Sequence, residues 1–335
     1  VILLLLVVLF LQTGAGQDVV RNQAIARAND ALAGEVEVGE LSGGLLSKTR
    51  LEDVRVVDAR GNTVVYAARV SADYSLLGLL GNSLTVSDVT LESPVVVART
   101  YADGESNFSL IAKPTPTEPT GPGTFELFVE QATIRDGTVL VVDETRDDVD
   151  ANSGRLAEWL ARLQEDEVDT EALSASLHDA IPNRQTDVPE TLGLTALTLD
   201  AAFAMRGSMD YTATVRSLEA SAATDSAFGR RNLALESLEA AYQPSHVEAT
   251  LGRLTVSELA EVAELRAAAD LTVDEDSLGN RTPSGLERYF ADVERVAAWP
   301  KVTEVFAPSV GLADVTHASL TSAGDVDSHT FDVTL

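Results

Sequence analysis

From Thr195 to Met205 every second residue is apolar, with Leu197, Leu199, Ala201, Phe203 and Met205 in step. After Arg206-Gly207-Ser208 the alternation resumes at Met209, Tyr211, Ala213 and Val215. Only an extended strand puts alternate side chains on one face, so this pattern requires strands with one apolar side. Leu265, Ala267, Ala269, Leu271 and Val273 repeat it. The segments Glu35–Leu41, Leu51–Asp58, Thr63–Tyr74, Leu84–Leu91 and Val95–Tyr101 also read as strands, separated by Gly43-Gly44, Arg60-Gly61-Asn62 and Gly81-Asn82, with Pro94 marking a break or an edge position. Phe125–Thr133 and Thr138–Glu144 read as a hairpin turning at Arg135-Asp136-Gly137. The chain stops in another strand at Phe331, Val333 and Leu335.

Helical spacing interrupts this pattern. Gln17 to Ala33 has Val20, Ala24, Ile25, Ala28, Ala31 and Leu32 on one side, and Gly34 stands at the C-cap. Near 153–180, Leu156, Trp159, Leu160 and Leu163 share a face, followed by Leu173 and Leu177. Near 282–299, Pro283 opens a stretch in which Leu286, Tyr289, Phe290, Val293 and Val296 recur at the same spacing, which predicts a second helical insertion. The run KPTPTEPTGPG makes residues 113–124 the expected linker between a unit at 17–112 and one at 125–335.

Val1 to Leu11 is uncharged and apolar, and small residues follow to Gly16. Residues 1–16 therefore read as an export signal or a membrane anchor, with residues from Gln17 onward on the far side of the membrane. A net charge of −29 opposes nucleic-acid binding, because a phosphate backbone requires neutralising cations. The lysine-poor acidic surface suits a saline habitat. Aromatic residues are only 5% of the chain, which suits thin β layers better than a deep catalytic pocket. Without cysteine there is neither a disulfide nor a thiolate metal site. His178, His246, His317 and His329 lie far apart, no serine sits in G-x-S-x-G, and Asp270, Asp274, Glu275 and Asp276 lack EF-hand spacing. No enzyme, cofactor or metal is expected.

Residues 34–111 contain "TRLEDVRVVDARGN", "YSLLGLL", "LTVSDVTLESPVVVART" and "DGESNFSL", in that order after the apolar entry segment, and TFELFVEQATIRDGTVLVVDE follows. This order resembles the N-terminal region of the TamB/AsmA-like envelope family, which includes the inner-membrane part of the translocation and assembly module. The resemblance implies a mainly β fold with helical insertions: an elongated antiparallel β-taco, or open β-cylinder, with an apolar groove. It implies a single N-terminal pass through the inner membrane with the bulk of the chain in the periplasm, transport of phospholipid between inner and outer membranes, acyl chains as ligands, an outer-membrane barrel partner of the TamA type, and a link to outer-membrane protein assembly. Strand alternation selects Val86, Leu127, Val129, Leu197, Leu199, Phe203, Leu271 and Val273 as groove-lining candidates. Trp159 and Trp299 read as core residues, with a helix sealing the groove mouth as the functional alternative. An exported structural or adhesive β-protein, with its apolar stripes closed into a core, is the rival to transport.

Overall fold

The computed structural model describes residues 29, 32–44, 48–75, 78, 81–111, 124–145, 154–181, 191–207, 209–224, 229–276, 279–298, 316–325 and 329–334. The expected anchor, nearly all of the expected lead-in helix, most of the Pro-rich linker and Trp299 lie outside them.

The described strands are β1 (Glu35–Gly44), β2 (Lys48–Val57), β3 (Thr63–Ser75), β4 (Ser83–Thr100), β5 (Glu126–Asp143), β6 (Thr191–Arg206), β7 (Asp210–Thr224), β8 (Arg230–Gln243), β9 (His246–Val256), β10 (Ala260–Glu275), β11 (Arg281–Ala298), β12 (Thr316–Asp325) and β13 (His329–Thr334). They form one open sheet in sequence order. Every described neighbouring pair is antiparallel except β4 and β5, which run parallel. Parallel strands need a crossover, and residues 101–125 supply it. The expected boundary at 113–124 therefore falls between two hydrogen-bonded strands of one sheet.

Among the described residues two helices interrupt the strands, α1 (Gly154–Arg162) and α2 (Thr170–Ala180), matching the expected insertion near 153–180. Asp169 caps α2 by accepting from the Ala172 amide at 2.9 Å. Leu156, Trp159, Leu163, Leu173 and Leu177 pack with Tyr66, Val95, Val97, Leu140 and Val142 of β3, β4 and β5. The Trp159 indole N–H donates to the Leu173 carbonyl at 2.8 Å, so the largest buried side chain leaves no polar atom unsatisfied. Gly193 lies under α2, where a Cβ would come within 2.6 Å of Ile181 Cδ1 and 3.0 Å of Leu177 Cδ2.

Three readings are corrected by the strand register. The helix expected near 282–299 is β11: Leu286 pairs with Leu271, Tyr289 with Ala269, Val293 with Leu265 and Val296 with Val262. Register shifts beside Asp270/Leu271, Thr272/Val273 and Val293/Val296 stretch some apolar intervals from two residues to three. The resulting spacing imitates a helical period. The hairpin expected at Arg135-Asp136-Gly137 is the middle of one strand, β5, in which Asp136 has φ 53° and kinks the strand without reversing it. Pro94 lies inside β4 and does not end it; Ser93 before it has φ 47°. Strands β8 and β9 fill a stretch for which the sequence reading names no element.

Candidate functional site

Residues directly opposite each other on neighbouring strands point to the same side of a sheet, so register tells which side chains share a face. One row runs Leu41, Leu51, Val70, Leu91, Ile134, Leu199, Leu218, Leu235, Leu254, Val262 and Val296, crossing β1 to β11 without a polar residue. A second row contains Val89, Ala132, Ala201, Val215, Leu238, Leu251, Leu265 and Val293. Beyond it lie Val86, Val129 and Phe203, continued by Ala213, Ala240, Ala249, Ala267 and Ala291. At about 4.8 Å per strand spacing, the first row extends for about 48 Å.

The sheet is creased along this face. Asp53 lies opposite Ala68, Ala68 opposite Ser93 and Ser93 opposite Asp136, as the flanking pairs show. Asp53, Ser93, Asp136 and Ala196 all have φ between 47° and 53°. Such a residue breaks the alternation, and apolar residues three apart then share a face: Leu51 with Val54, Leu91 with Pro94, Ile134 with Gly137. A Cβ on Gly137 would lie 2.8 Å from Ile134 Cγ2 and 3.4 Å from Leu197 Cβ, which places all three together. Burial follows the crease: Ala67 is 1% exposed and Leu197 6%, whereas Val70, Leu91, Ile134 and Leu199 beside it are half-buried. A similar line crosses β8 to β10 at Ser237 (φ 53°), Gly252 and Glu264 (φ 55°).

The helices sit on the other face. Past the crease, the side facing α1 and α2 carries Tyr66, Val95, Val97, Leu140 and Val142, all buried, while the intervening Val65, Val96 and Val139 continue the apolar rows and are half-buried. Arg55 donates to the Glu165 carbonyl, Thr195 Oγ1 and His178 Nε2 lie 3.2 Å apart, and Arg230 reaches Asp179 at 2.9 Å, all from that helix-bearing side. The helices therefore do not seal the apolar rows. Elsewhere this second face is charged, with Arg69 between Glu52 and Glu92, Arg216 on Asp200, and Arg295 on Glu261.

A polar cluster closes the sheet where β4 and β5 end together. Arg99 and Glu144 form a buried ion pair at 2.8 Å. Asn107, 1% exposed, accepts from the Arg99 amide at 3.0 Å and donates to the Val97 carbonyl at 2.6 Å, standing in for a neighbouring strand. The Tyr101 hydroxyl donates to Asp58 at 2.5 Å, and the guanidinium groups of Arg60 and Arg99 lie 4.2 and 4.8 Å from its ring centre. Burial first, and then the Asp58 carboxylate, push the Tyr101 phenol above its usual range. Tyr66 shifts the same way through burial and the hydrogen bond to Asp53. Every one of these groups is paired, which makes the cluster a clamp for the crossover. Strand alternation did not announce it, since its members come from the β2–β3 turn, β4, the crossover and the residue after β5, although Asp58, Arg60, Arg99, Asn107 and Glu144 all fall within the motifs that carry the family resemblance.

The eight groove candidates fall on the creased apolar face. Val86, Val129 and Phe203 are direct neighbours; Leu127 stands beside Leu84 and Met205; Leu199 belongs to the long row; Leu197 is in the crease opposite Gly137. Leu271 and Val273 extend the face on β10, opposite Leu286 and Pro283. The chain matches no family model and no curated protein sequence. Among the described residues no group of acidic and histidine side chains is arranged to hold a metal, and no helix is long and apolar enough to cross a membrane. His246 Nδ1 instead contacts Asp270 at 2.7 Å, and Asp270 also accepts from Arg288, so the acidic segment at the end of β10 is in part neutralised by its own neighbours.

Proposed function

We propose that the protein is an envelope scaffold that carries phospholipid along the creased apolar face, anchored in the inner membrane through its N-terminal segment and handing lipid towards an outer-membrane barrel partner. The observation that carries this reading is the aliphatic row from Leu41 to Val296, which crosses the strands at right angles and is covered by neither helix. An acyl chain spans about half of a hydrocarbon core of roughly 30 Å, so the row exceeds one chain by about threefold. Such a row suits a ligand that slides. Each methylene out of water contributes about 0.8 kcal/mol wherever it lies, so no single residue has to grip it. The resemblance to TamB and AsmA-like proteins supports the same assignment. The charged opposite face keeps the exterior soluble.

Photo-crosslinking amino acids at Leu199 and Leu235 in membrane-exposed protein test the reading. Capture of phospholipid there, and not at Thr198 or Asp200 on the charged face, is the expected result. Equal labelling of both faces, or of neither, would leave a structural β-protein.

A further inference from the structure

We propose that the cavity between α1 and α2 binds a phosphate-bearing ligand. The cavity is about 380 Å³, and Arg155, Glu158, Trp159, Arg162, Ser176 and Asp179 are among its lining residues. Arg155 and Arg162 are seven residues apart on α1, two helical turns or about 10 Å, and so project from one side of it. Neither has an ion-pair partner among the described residues: Arg162 donates to Ser176 Oγ at 3.1 Å and Arg155 only to the Asp179 carbonyl at 3.4 Å. The carboxylate of Asp179 is engaged elsewhere, by Arg230 at 2.9 Å.

Two features bear on what this cavity can hold. Among the described residues Arg50, Arg135, Arg231, Arg266 and Arg281 also lack an ion-pair partner, but Arg155 and Arg162 line one cavity together. Arg155 also sits in the first turn of α1, which contains no acidic residue. A cation there opposes the helix dipole and weakens the helix, whereas an anion bound beside it reverses the sign of that interaction. The spare N–H groups match phosphate oxygens in number and planarity. Glu158, between the two arginines, favours a ligand that offers a hydroxyl or ammonium group near its phosphate. Glycerophosphate esters have that chemistry, whether free in solution or as the headgroup of a lipid.

Isothermal titration calorimetry of the full chain decides the matter, with inorganic phosphate, glycerol 3-phosphate and glycerophosphoethanolamine as probes, alongside sedimentation with zwitterionic phospholipid vesicles. Arg155→Gln/Arg162→Gln is expected to weaken binding of the soluble esters at least tenfold with the circular dichroism spectrum unchanged, and Arg155→Lys to restore part of it. Glu158→Gln should bring inorganic phosphate closer in affinity to the esters. Because the apolar face and the N-terminal segment would themselves hold vesicles, the source is read by competition: ester displaced from the wild-type chain by the vesicles identifies the lipid headgroup, and ester that stays bound to the vesicle-bound chain identifies a free metabolite. Undiminished ester binding in the double variant, or no binding of any probe to the wild-type chain, overturns the proposal.

Discussion

Leu199→Asp separates an open apolar face from one closed by a second layer of protein. Leu199 stands between Ile134 and Leu218 in the long row and is half-buried. Full burial of a leucine contributes about 1.5–3 kcal/mol, so losing the partial burial seen here costs about 1–1.5 kcal/mol, the value expected for Leu199→Ala. On an open face the aspartate carboxylate stays hydrated and adds little, giving a total of about 2 kcal/mol for Leu199→Asp. Under a covering layer the same carboxylate is desolvated without a partner and adds several kcal/mol more. Urea unfolding followed by far-ultraviolet circular dichroism reads the difference. With a slope of about 3 kcal/mol per molar, 2 kcal/mol moves the midpoint by about 0.7 M. Thr198→Asn, on the charged face, should move it by less than about 0.2 M. A Leu199→Asp shift beyond about 1.3 M, or loss of the folded state while Leu199→Ala remains near wild type, would refute the open face.

Two further outcomes test the packing that shapes this face. Gly137→Val should cost about 1–3 kcal/mol in the same urea assay, because its first side-chain carbon would overlap Ile134 Cγ2 in the buried crease; wild-type stability would show that the crease is looser than described. Burial, and then Arg230, lower the His178 pKa from its ordinary 6.5, so the unfolded chain takes up a proton that the folded one resists. Stability should therefore fall as pH drops below about 6.5 and level off beneath the folded value, and His178→Asn should flatten that part of the urea-midpoint profile; an unchanged profile would refute the assignment.

The chain's class was legible without coordinates where strands alternate cleanly. Thr195–Met205 lies within β6, Leu265–Val273 within β10, and the paired leucines near 153–180 lie in α1 and α2. The misreadings cluster where alternation is interrupted on purpose. At Asp136-Gly137 the residues that favour a two-residue turn serve to kink a continuous strand, because the crossover had already placed β4 and β5 parallel and no reversal was required. At 282–299 the bulges converted a period of two into intervals of three.

Periodicity by itself thus determined, where the alternation is unbroken, which residues share the apolar side of one strand, since side-chain direction within one strand is a local property. It selected Val86, Val129 and Phe203 individually, yet could not state that they are neighbours, because β4, β5 and β6 meet only after a crossover and a pair of helices intervene. Register, the line of positive φ values, the side on which α1 and α2 settle, and the clamp around Arg99 and Asn107 were decided by tertiary structure. Each depends on hydrogen bonds between residues far apart in sequence, and strand pairing has no local signature to announce its partner.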